Sequence, residues 1–486
     1  MSDALAPNEE AAPVRRLHPA SLAIGAIERL PSLVLGLPAV AYFAGDVGIG
    51  VAILLAIAGL AISIGIAFLH WLRFSYQLGD AQLVIESGIM SRNRRSIPFD
   101  RIQDVSLEQT LLARIFGVSI VRIETGSSGS DEGKLECVSR DEADRLRDVI
   151  RRHRSGAVSA EAAEAEEAAA PILFSMNPDR LLTAGLFNFS LVFLAVIGVG
   201  WQYFGTYLPG RYLDPEYFIG RWGDMLAGFA TLFAATVALA ALLVVGMVTG
   251  IVRTFLRDYG FELTRTETGL RRIRGLLTRT DVVMPLRRVQ AAIVSTGIVR
   301  RRFGWEALSL QSLGTDGDAG TSHVAAPFAR RLELLPIFGE LALPEPPAAE
   351  AFTRVSRHMV TRSWIEDGVS LAVTVVALSW VWAAAIWFIL LVPVALVGAI
   401  FQYRAHGWRF DGEFLFVRRG VWKPRTLVLR REKVQSATVV RTPLQSLFGT
   451  ATLVIGTAGA PLASPLKIVD LELPEAQALM DRLLLR

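Results

Sequence analysis

The residues best suited to chemistry are basic side chains that recur around three glycines, Gly88, Gly275 and Gly420. Guanidinium groups bind carboxylates and phosphates through two parallel hydrogen bonds. Bases held close to a bilayer gain about 1 kcal/mol each from anionic lipid. These side chains are candidate contacts for a lipid or a protein partner, and the alternative is a solvated β surface. The candidates are Arg92, Arg94, Arg95, Arg279, Arg418, Arg419, Lys423 and Arg425.

The remaining residues form no catalytic or metal-binding pattern in the sequence. The six histidines are scattered, and none has metal-ligand spacing with another His, Cys or carboxylate. There is no P-loop, GxSxG, HExxH or strand-linked GxGxxG motif. The single cysteine, Cys137, cannot form an internal disulfide and is predicted to fill a strand position. We therefore expect no enzyme activity, no cofactor, no metal and no nucleic-acid partner.

An internal repeat carries the basic clusters. Each of the three glycines is followed, at the same two spacings, by a glutamine and then by a second glycine. The glycines are predicted to supply turn geometry, and the glutamines either line a shared surface or, as we favour, tie a buried loop to the backbone. Phe116, Phe303 and Phe448 precede the last glycines and are predicted to be core. The signature residues are Gly88, Gln103, Gly117, Gly275, Gln290, Gly304, Gly420, Gln435 and Gly449.

Long apolar segments precede each repeat. Hydrophobic residues make up 52% of the chain and the mean hydropathy is +0.41. A bilayer-spanning helix needs about 20 apolar residues. The third segment is long for one span and short for two, so we interpret it as a tight hairpin that turns near 382–386. The apolar segments are 22–44 and 47–72, then 181–208 and 225–252, then 368–401.

The flanking charges predict the orientation of these segments. Arginines cluster at the ends that adjoin the repeats, whereas the opposite links carry few. By the positive-inside rule, both termini and all three repeats lie in the cytoplasm, beneath the inner membrane. The polar residues Asn188, Ser190 and Gln202 fall in the third span, where they either hold helices together or mark a transport path.

Period-2 alternation around the signature predicts strands, and a helix is expected to end each repeat. Ser139 and Glu142 match a capping box, and Pro474 suits a helix start. The evidence for a helix at 327–335 is weaker. The predicted order is a disordered N-terminus (1–15), hairpin 1 (16–72), repeat 1 (73–154), an Ala/Glu linker (155–171), hairpin 2 (172–252), repeat 2 (253–340), a linker (341–363), hairpin 3 (364–402) and repeat 3 (403–486).

The threefold pattern of a hairpin and a strand-rich domain with this signature resembles the bacterial pleckstrin-homology-like (PH-like) membrane proteins of the YdbT type. The run from Arg16 to Pro19 is also similar to that family. The resemblance implies a multi-domain α+β membrane protein, with about six transmembrane helices in three hairpins. Each hairpin is followed by a small PH-like β-barrel or sheet closed by a C-terminal helix. Repeat 2 departs most, because Leu263 replaces the aromatic residue seen at Tyr76 and Trp408.

The leading functional hypothesis is a non-enzymatic membrane scaffold. Its domains would bind a protein partner or one another, with their basic faces oriented by anionic lipid headgroups. The alternative is a transport or export component, or one acting in envelope stress and peptide resistance. A water-lined path between the spans that contain Asn188 and Gln202 would favour the alternative.

Overall fold

A computed structural model describes residues 14–28, 49–79, 81–89, 91–125, 133–155, 171–188, 230–267, 269–312, 322–380, 382–457 and 466–484. Several predictions lie outside these residues. They are most of the N-terminal segment, most of the first apolar segment of hairpin 1, the body of the Ala/Glu linker, and residues 189–229, which include Ser190 and Gln202.

Repeat 1 consists of two three-stranded meanders, a short helix inside the second, and a C-terminal helix. Leu83 and Ile85 face the core of repeat 1, and Val84 between them is buried as well. Ser139 accepts a hydrogen bond from the Glu142 backbone (3.4 Å), as the capping pattern predicts. The elements are α1 (Ile49–Arg73), β1 (Ser75–Leu78), β2 (Gln82–Ser87), β3 (Asn93–Pro98), β4 (Ile102–Gln109), α2 (Leu111–Ile115), β5 (Val118–Thr125), β6 (Lys134–Ser139) and α3 (Arg140–Ser155).

Repeat 2 has the same order, and its closing helix begins at Arg331 because strand pairing continues to Arg330. The weakly predicted helix at 327–335 is therefore displaced toward the C-terminus. The elements are β7 (Ile172–Ser175), α4 (Pro178–Phe187), α5 (Ala230–Asp258), β8 (Glu262–Arg265), β9 (Gly269–Arg274), β10 (Arg279–Pro285), β11 (Val289–Ser295), α6 (Ile298–Arg302), β12 (Trp305–Ser312), β13 (Ser322–Arg330) and α7 (Arg331–Glu340).

Repeat 3 follows a pair of packed helices that are joined by a 3-10 segment, Ala383–Leu391. Trp382 lies between the first helix and this segment, where the sequence predicts the turn. The elements are α8 (His358–Ser379), α9 (Val392–Ala405), β14 (Gly407–Phe410), β15 (Phe414–Arg419), β16 (Arg425–Arg430), β17 (Val434–Val440), α10 (Pro443–Leu447), β18 (Thr450–Thr457), β19 (Leu466–Glu472) and α11 (Leu473–Leu484).

Neighbouring repeats share their sheets. Strand β4 of repeat 1 pairs with β10 of repeat 2, which makes a seven-stranded sheet. Strand β11 of repeat 2 pairs with β16 of repeat 3, which makes a six-stranded sheet. The sheets are open, so of the two forms expected for each repeat, a β-barrel or a sheet, the sheet is present and the closed barrel is wrong. The physical reason is that an edge strand leaves unpaired backbone groups, and here the next repeat satisfies them.

Each repeat also takes up a segment that precedes its apolar helices. Arg15 pairs with Tyr76, β7 pairs with β8, and Thr353 pairs with Trp408. The chain thus contacts its own sheet before it enters the helices, and the first strand after the helices returns beside it. This contact fixes where the helices leave each domain.

Two helical stretches in the described part of the chain are long and apolar enough to cross a bilayer, Ala240–Asp258 and Ala385–Ala405. Their side chains are mostly exposed, unlike those of the core helix of a soluble protein. A shorter apolar helix covers Ile57–Arg73. In the described residues, these stretches are fewer than the roughly six spanning helices that the sequence predicts.

The repeated phenylalanines are not core residues, contrary to the sequence prediction. Phe116 is 40% exposed, Phe303 is 62% exposed, and Phe448 is half-buried against His358. Each caps the C-terminal end of a five-residue helix, α2, α6 or α10. None of the three rings is fully buried, because each lies just beyond the last residue of its short helix.

The six signature glycines all have positive φ, which is the turn geometry that the sequence predicts. The first signature glycine of each repeat and the second one differ in their surroundings. A Cβ atom on Gly275 would lie 1.9 Å from the Thr278 carbonyl oxygen, whereas one on Gly304 would meet nothing within 4 Å.

This difference gives a matched pair of variants. Gly304→Ala is expected to cost about 1–2 kcal/mol from left-handed backbone strain alone. Gly275→Ala is expected to cost about 1–3 kcal/mol more, because the turn must move to relieve the overlap. Denaturant unfolding of the detergent-solubilised protein measures both, and equal losses would contradict the assignment.

Candidate functional site

A basic cavity of about 360 Å³ lies where repeat 2, the end of α5 and a turn of repeat 3 meet. The end of α4 supplies Phe187 and Asn188. The loop before α6 supplies Thr296 and Gly297, and the third residue of α6 is Arg300. The other polar and aromatic lining residues are Arg253, Thr254, Arg257, Ser295, Trp422 and Lys423.

Asn188 organises the wall between the helices. It caps α4, and its amide nitrogen donates to the Thr254 hydroxyl on α5 at 3.0 Å. Its amide oxygen accepts a hydrogen bond from Arg300 on α6. One side chain thus joins two apolar helices to the sheet domain and orients a guanidinium group at the cavity wall.

The electrostatics of the cavity favour an anion. Four cations line it, and no carboxylate is among its lining residues in the described part of the chain. Burial lowers the pKa of Arg300, and the charge of Arg257 lowers it further. Burial also lowers the pKa of Lys423, with the charges of Arg425, Arg300 and Arg257 acting in the same direction. Cations that repel one another in a partly dry site are stabilised by a bound negative charge.

One carboxylate lies behind this wall. Asp258 is buried and accepts hydrogen bonds from Arg257 (2.7 Å) and Arg274 (3.3 Å). It therefore holds Arg257 in place while leaving Arg253, Arg300 and Lys423 without a carboxylate in the cavity. The excess positive charge suits a phosphate or a carboxylate group.

The comparisons with known proteins agree with this architecture. The family model described as "Bacterial PH domain" matches residues 32–154, 225–338 and 352–486. The chain belongs to this family. Each matched segment covers one repeat, to within two residues of its end, together with apolar residues that precede it, so each repeat contains a bacterial PH domain.

A curated relative of the same kind is the "UPF0699 transmembrane protein YdbT" of Bacillus subtilis (strain 168). It is 23% identical over 404 residues, which cover 76% of this chain and 78% of the relative. No solved structure matches the chain at a significant level.

The predicted basic residues of these PH domains occupy different places. Lys423 lines the cavity, and the charge of Arg425 acts on both Lys423 and Arg419. Arg418 lines a separate cavity of about 130 Å³ beside Arg301. Arg279 lies opposite Gln109 at the junction of repeats 1 and 2.

The remaining predicted bases, Arg92, Arg94 and Arg95, lie on the turn before β3 and on β3 itself. Arg94 is 3.4 Å from Glu86. A common basic surface of all eight residues is therefore not formed, and their role as partner contacts stays a prediction.

The repeated glutamines differ in their environment. Gln290 is buried and donates to the Arg288 carbonyl oxygen at 3.1 Å, which is the backbone role that the sequence favours. Gln435, at the same position of repeat 3, is exposed. Gln103 lies in β4, and its side chain is outside the described set.

Sequence reasoning missed Arg300, the base that joins Asn188 to the cavity. Its signal is the run of three arginines, 300–302, which begins three residues after Gly297. Arg253 and Arg257 were recognised only as charges that flank a span. Asn188 holds helices together through Thr254, so its contacts favour the packing role over a transport path.

Exposed apolar side chains lie at the cavity and beside it. Trp422, a lining residue, is 80% exposed, Val299 is exposed on α6, and Phe303, which caps α6, packs on the lining residue Phe187. The Leu276 backbone donates to the Leu256 carbonyl oxygen at 3.0 Å, which holds the exposed turn of repeat 2 beside the end of α5. A cationic pocket with an apolar rim is typical of a surface that meets lipid headgroups.

Proposed function

We propose that the protein is a non-enzymatic, multi-pass scaffold of the inner membrane whose PH domains lie on the cytoplasmic face and bind anionic phospholipid headgroups. The observation that carries the proposal is the four-cation cavity at the C-terminal end of α5. The lipid is the ligand, and the surfaces of the repeats serve as the scaffold for assembly.

The position of the cavity supports a lipid ligand. Ala240–Asp258 is long and apolar enough to span a bilayer, so its last turn would lie near the headgroups. Arg253 and Arg257 belong to that end, and Arg404 occupies the last turn of α9. Basic residues at these ends support a cytoplasmic location. The similarity to a protein named as transmembrane supports a location in a membrane.

The chemistry of the cavity suits a phosphodiester. Lys423 and Arg300 can meet phosphate oxygens, while Trp422 and Phe303 suit the boundary between headgroups and acyl chains. The cations come from repeats 2 and 3, so a bound headgroup would also fix one repeat relative to the other.

Removal of two cations tests the proposal. Two lost contacts of about 1 kcal/mol each weaken binding by about 30-fold. We expect this loss for the variant R300Q/K423Q when short-chain phosphatidylglycerol is titrated into the full-length protein and Trp fluorescence is followed. A zwitterionic phosphatidylcholine of the same chain length is expected to bind weakly to both forms.

The matched control is R145Q/R409Q, which removes the same charge from exposed positions outside the cavity. It is expected to leave the affinity unchanged. Equal losses of affinity in the two double variants would show that overall charge, and not the cavity, determines binding. An unchanged affinity of R300Q/K423Q would show that the lipid does not bind in the cavity.

A further inference from the structure

Two strand edges remain open at opposite ends of the row of repeats. In the described residues, no strand pairs with the outer edge of β3 in repeat 1 or with the outer edge of β17 in repeat 3. Their counterparts in the other repeats are all paired: β10 and β16 correspond to β3, and β4 and β11 correspond to β17.

The two internal junctions use one register. At the first junction Thr280 lies opposite Glu108, and at the second Arg425 lies opposite Ser295. Thr280 and Arg425 are each the fifth residue after a signature glycine. Glu108 and Ser295 are each the fifth residue after a signature glutamine. The repeat therefore specifies both the pairing of edges and its register.

We propose that β17 of one chain pairs antiparallel with β3 of a second chain in this same register. The fifth residues are then Val440 after Gln435 and Asn93 after Gly88, and they lie opposite each other. The next pair is Val439 with Arg94, followed by Thr438 with Arg95. The contact is head to tail, so it continues into a ring or a longer row.

Burial supports the pairing of β17. In β11, which is paired, Gln290, Ala291 and Ala292 are all buried. The equivalent strand β17 exposes Gln435 and Ser436, and Val440 is 45% exposed. Its seven residues, VQSATVV, contain no charge and no proline. Edge strands that face solvent are normally protected by charged residues or proline. Strand β17 has neither, so its edge resembles one that another strand covers.

The occupant is a second copy of the chain because one chain carries both complementary edges. Its own β3 and β17 are not paired with each other, so the row of three repeats is open at both ends. The charge on β3 is tolerated at the new junction, because Arg94 brings its own partner, Glu86. At the first junction Arg147 of α3 reaches Asp281. In the proposed pairing Arg94 takes the place of Asp281, and the residue of α11 that matches Arg147 is the half-buried Met480, so this helix position places no second cation beside Arg94.

Disulfide trapping tests the register. Two differently tagged full-length chains, V440C and N93C, are co-expressed, and membranes are oxidised. We expect a mixed disulfide dimer, since directly opposed residues in an antiparallel pair place their Cβ atoms about 5 Å apart. The slipped pair V440C with R94C is expected to give at least five-fold less, because a one-residue slip reverses the side-chain face. Native Cys137 stays in place, because burial raises the pKa of its thiol to about 11.

A second variant tests association without added cysteines. T438K introduces a charge on the exposed β17 edge and is expected to weaken self-association at least ten-fold, measured by mass photometry in nanodiscs. Q477K, on the exposed face of α11, is the control and is expected to associate normally. Equal trapping in both registers, a disulfide only within one chain carrying V440C and N93C, or unchanged association of T438K would overturn the proposal.

Discussion

Replacing Arg362 by methionine is expected to destabilise repeat 3 by about 3–5 kcal/mol, because it leaves a buried carboxylate without its cation. Asp470 is fully buried. It accepts hydrogen bonds from Arg362 Nε (2.9 Å) and Nη2 (2.8 Å), and from the Gln445 amide at 2.9 Å. Arg362 lies on α8, so the ion pair joins the helical hairpin to the sheet domain.

The detergent-solubilised protein is unfolded in denaturant, and proteolytic cleavage within repeat 3 reports the loss of stability. The double variant R362M/D470N is expected to recover much of the stability, because no buried charge remains and asparagine tolerates the left-handed backbone at this position (φ 55°). R331M is the control, since the Arg331–Glu345 pair is largely exposed and is worth under about 1 kcal/mol. A loss no greater for R362M than for R331M would show that the buried pair does not anchor the hairpin.

The backbone conformation of Asp470 recurs in repeat 1. Cys137 occupies the matching position in repeat 1 and has nearly the same φ, 56°. Its carbonyl oxygen accepts a hydrogen bond from His18 at 2.8 Å, and that of Asp470 accepts one from Ser356 at 2.8 Å. The same irregularity in the strand therefore holds the segment before the helices in both repeats. Repeat 3 adds the ion pair to this shared contact.

The sequence predicted the repeat, its turns and its closing helices because those features depend on local geometry. Gly88, Gly275 and Gly420 need a positive φ wherever the turn occurs, and this requirement is visible in one residue type. The prediction for the phenylalanines was wrong because an aromatic residue beside a strand suggests a core position, whereas each of these residues caps a short helix.

The junctions between repeats could not be predicted in the same way. The strands β11 (VQAAIVS) and β17 (VQSATVV) have similar patterns, yet only β11 is paired with a neighbouring repeat. Alternation specifies which face of a strand is buried and says nothing about what lies along its edge. The cavity was missed for a related reason, because Arg300 and Lys423 come from different repeats.

The junction of repeats 1 and 2 is expected to depend on a single carboxylate. Asp281 accepts hydrogen bonds from Arg271 Nε (2.8 Å) and, across the junction, from Arg147 (3.2 Å). The side chains of all three are largely buried. Asp281→Asn removes the negative charge between two guanidinium groups and is expected to weaken this junction by about 3–5 kcal/mol. Hydrogen exchange of the β4 and β10 amides measures the change.

The same group predicts the acid sensitivity of the junction. Burial acts to raise the pKa of Asp281, but the Arg271 hydrogen bonds and the charge of Arg147 prevail and hold it below its ordinary value. A carboxyl group with a lowered folded pKa stabilises the protein above its unfolded pKa, about 4, and this contribution is lost as the pH falls through the folded value. The protection of the β4 and β10 amides, relative to the intrinsic exchange rate at each pH, is therefore expected to fall below about pH 4.

The junction of repeats 2 and 3 supplies the internal control for that experiment. Its buried contacts are apolar and include Ala292, Val294, Phe416 and Val428. Because no carboxylate is needed to hold them together, β11 and β16 are expected to stay protected at a pH where β4 and β10 open. D281N should abolish the acid response of the first junction and leave the second unchanged. Simultaneous opening of both junctions in the native protein would instead mean that the three repeats unfold as one cooperative unit, with Asp281 contributing no local control.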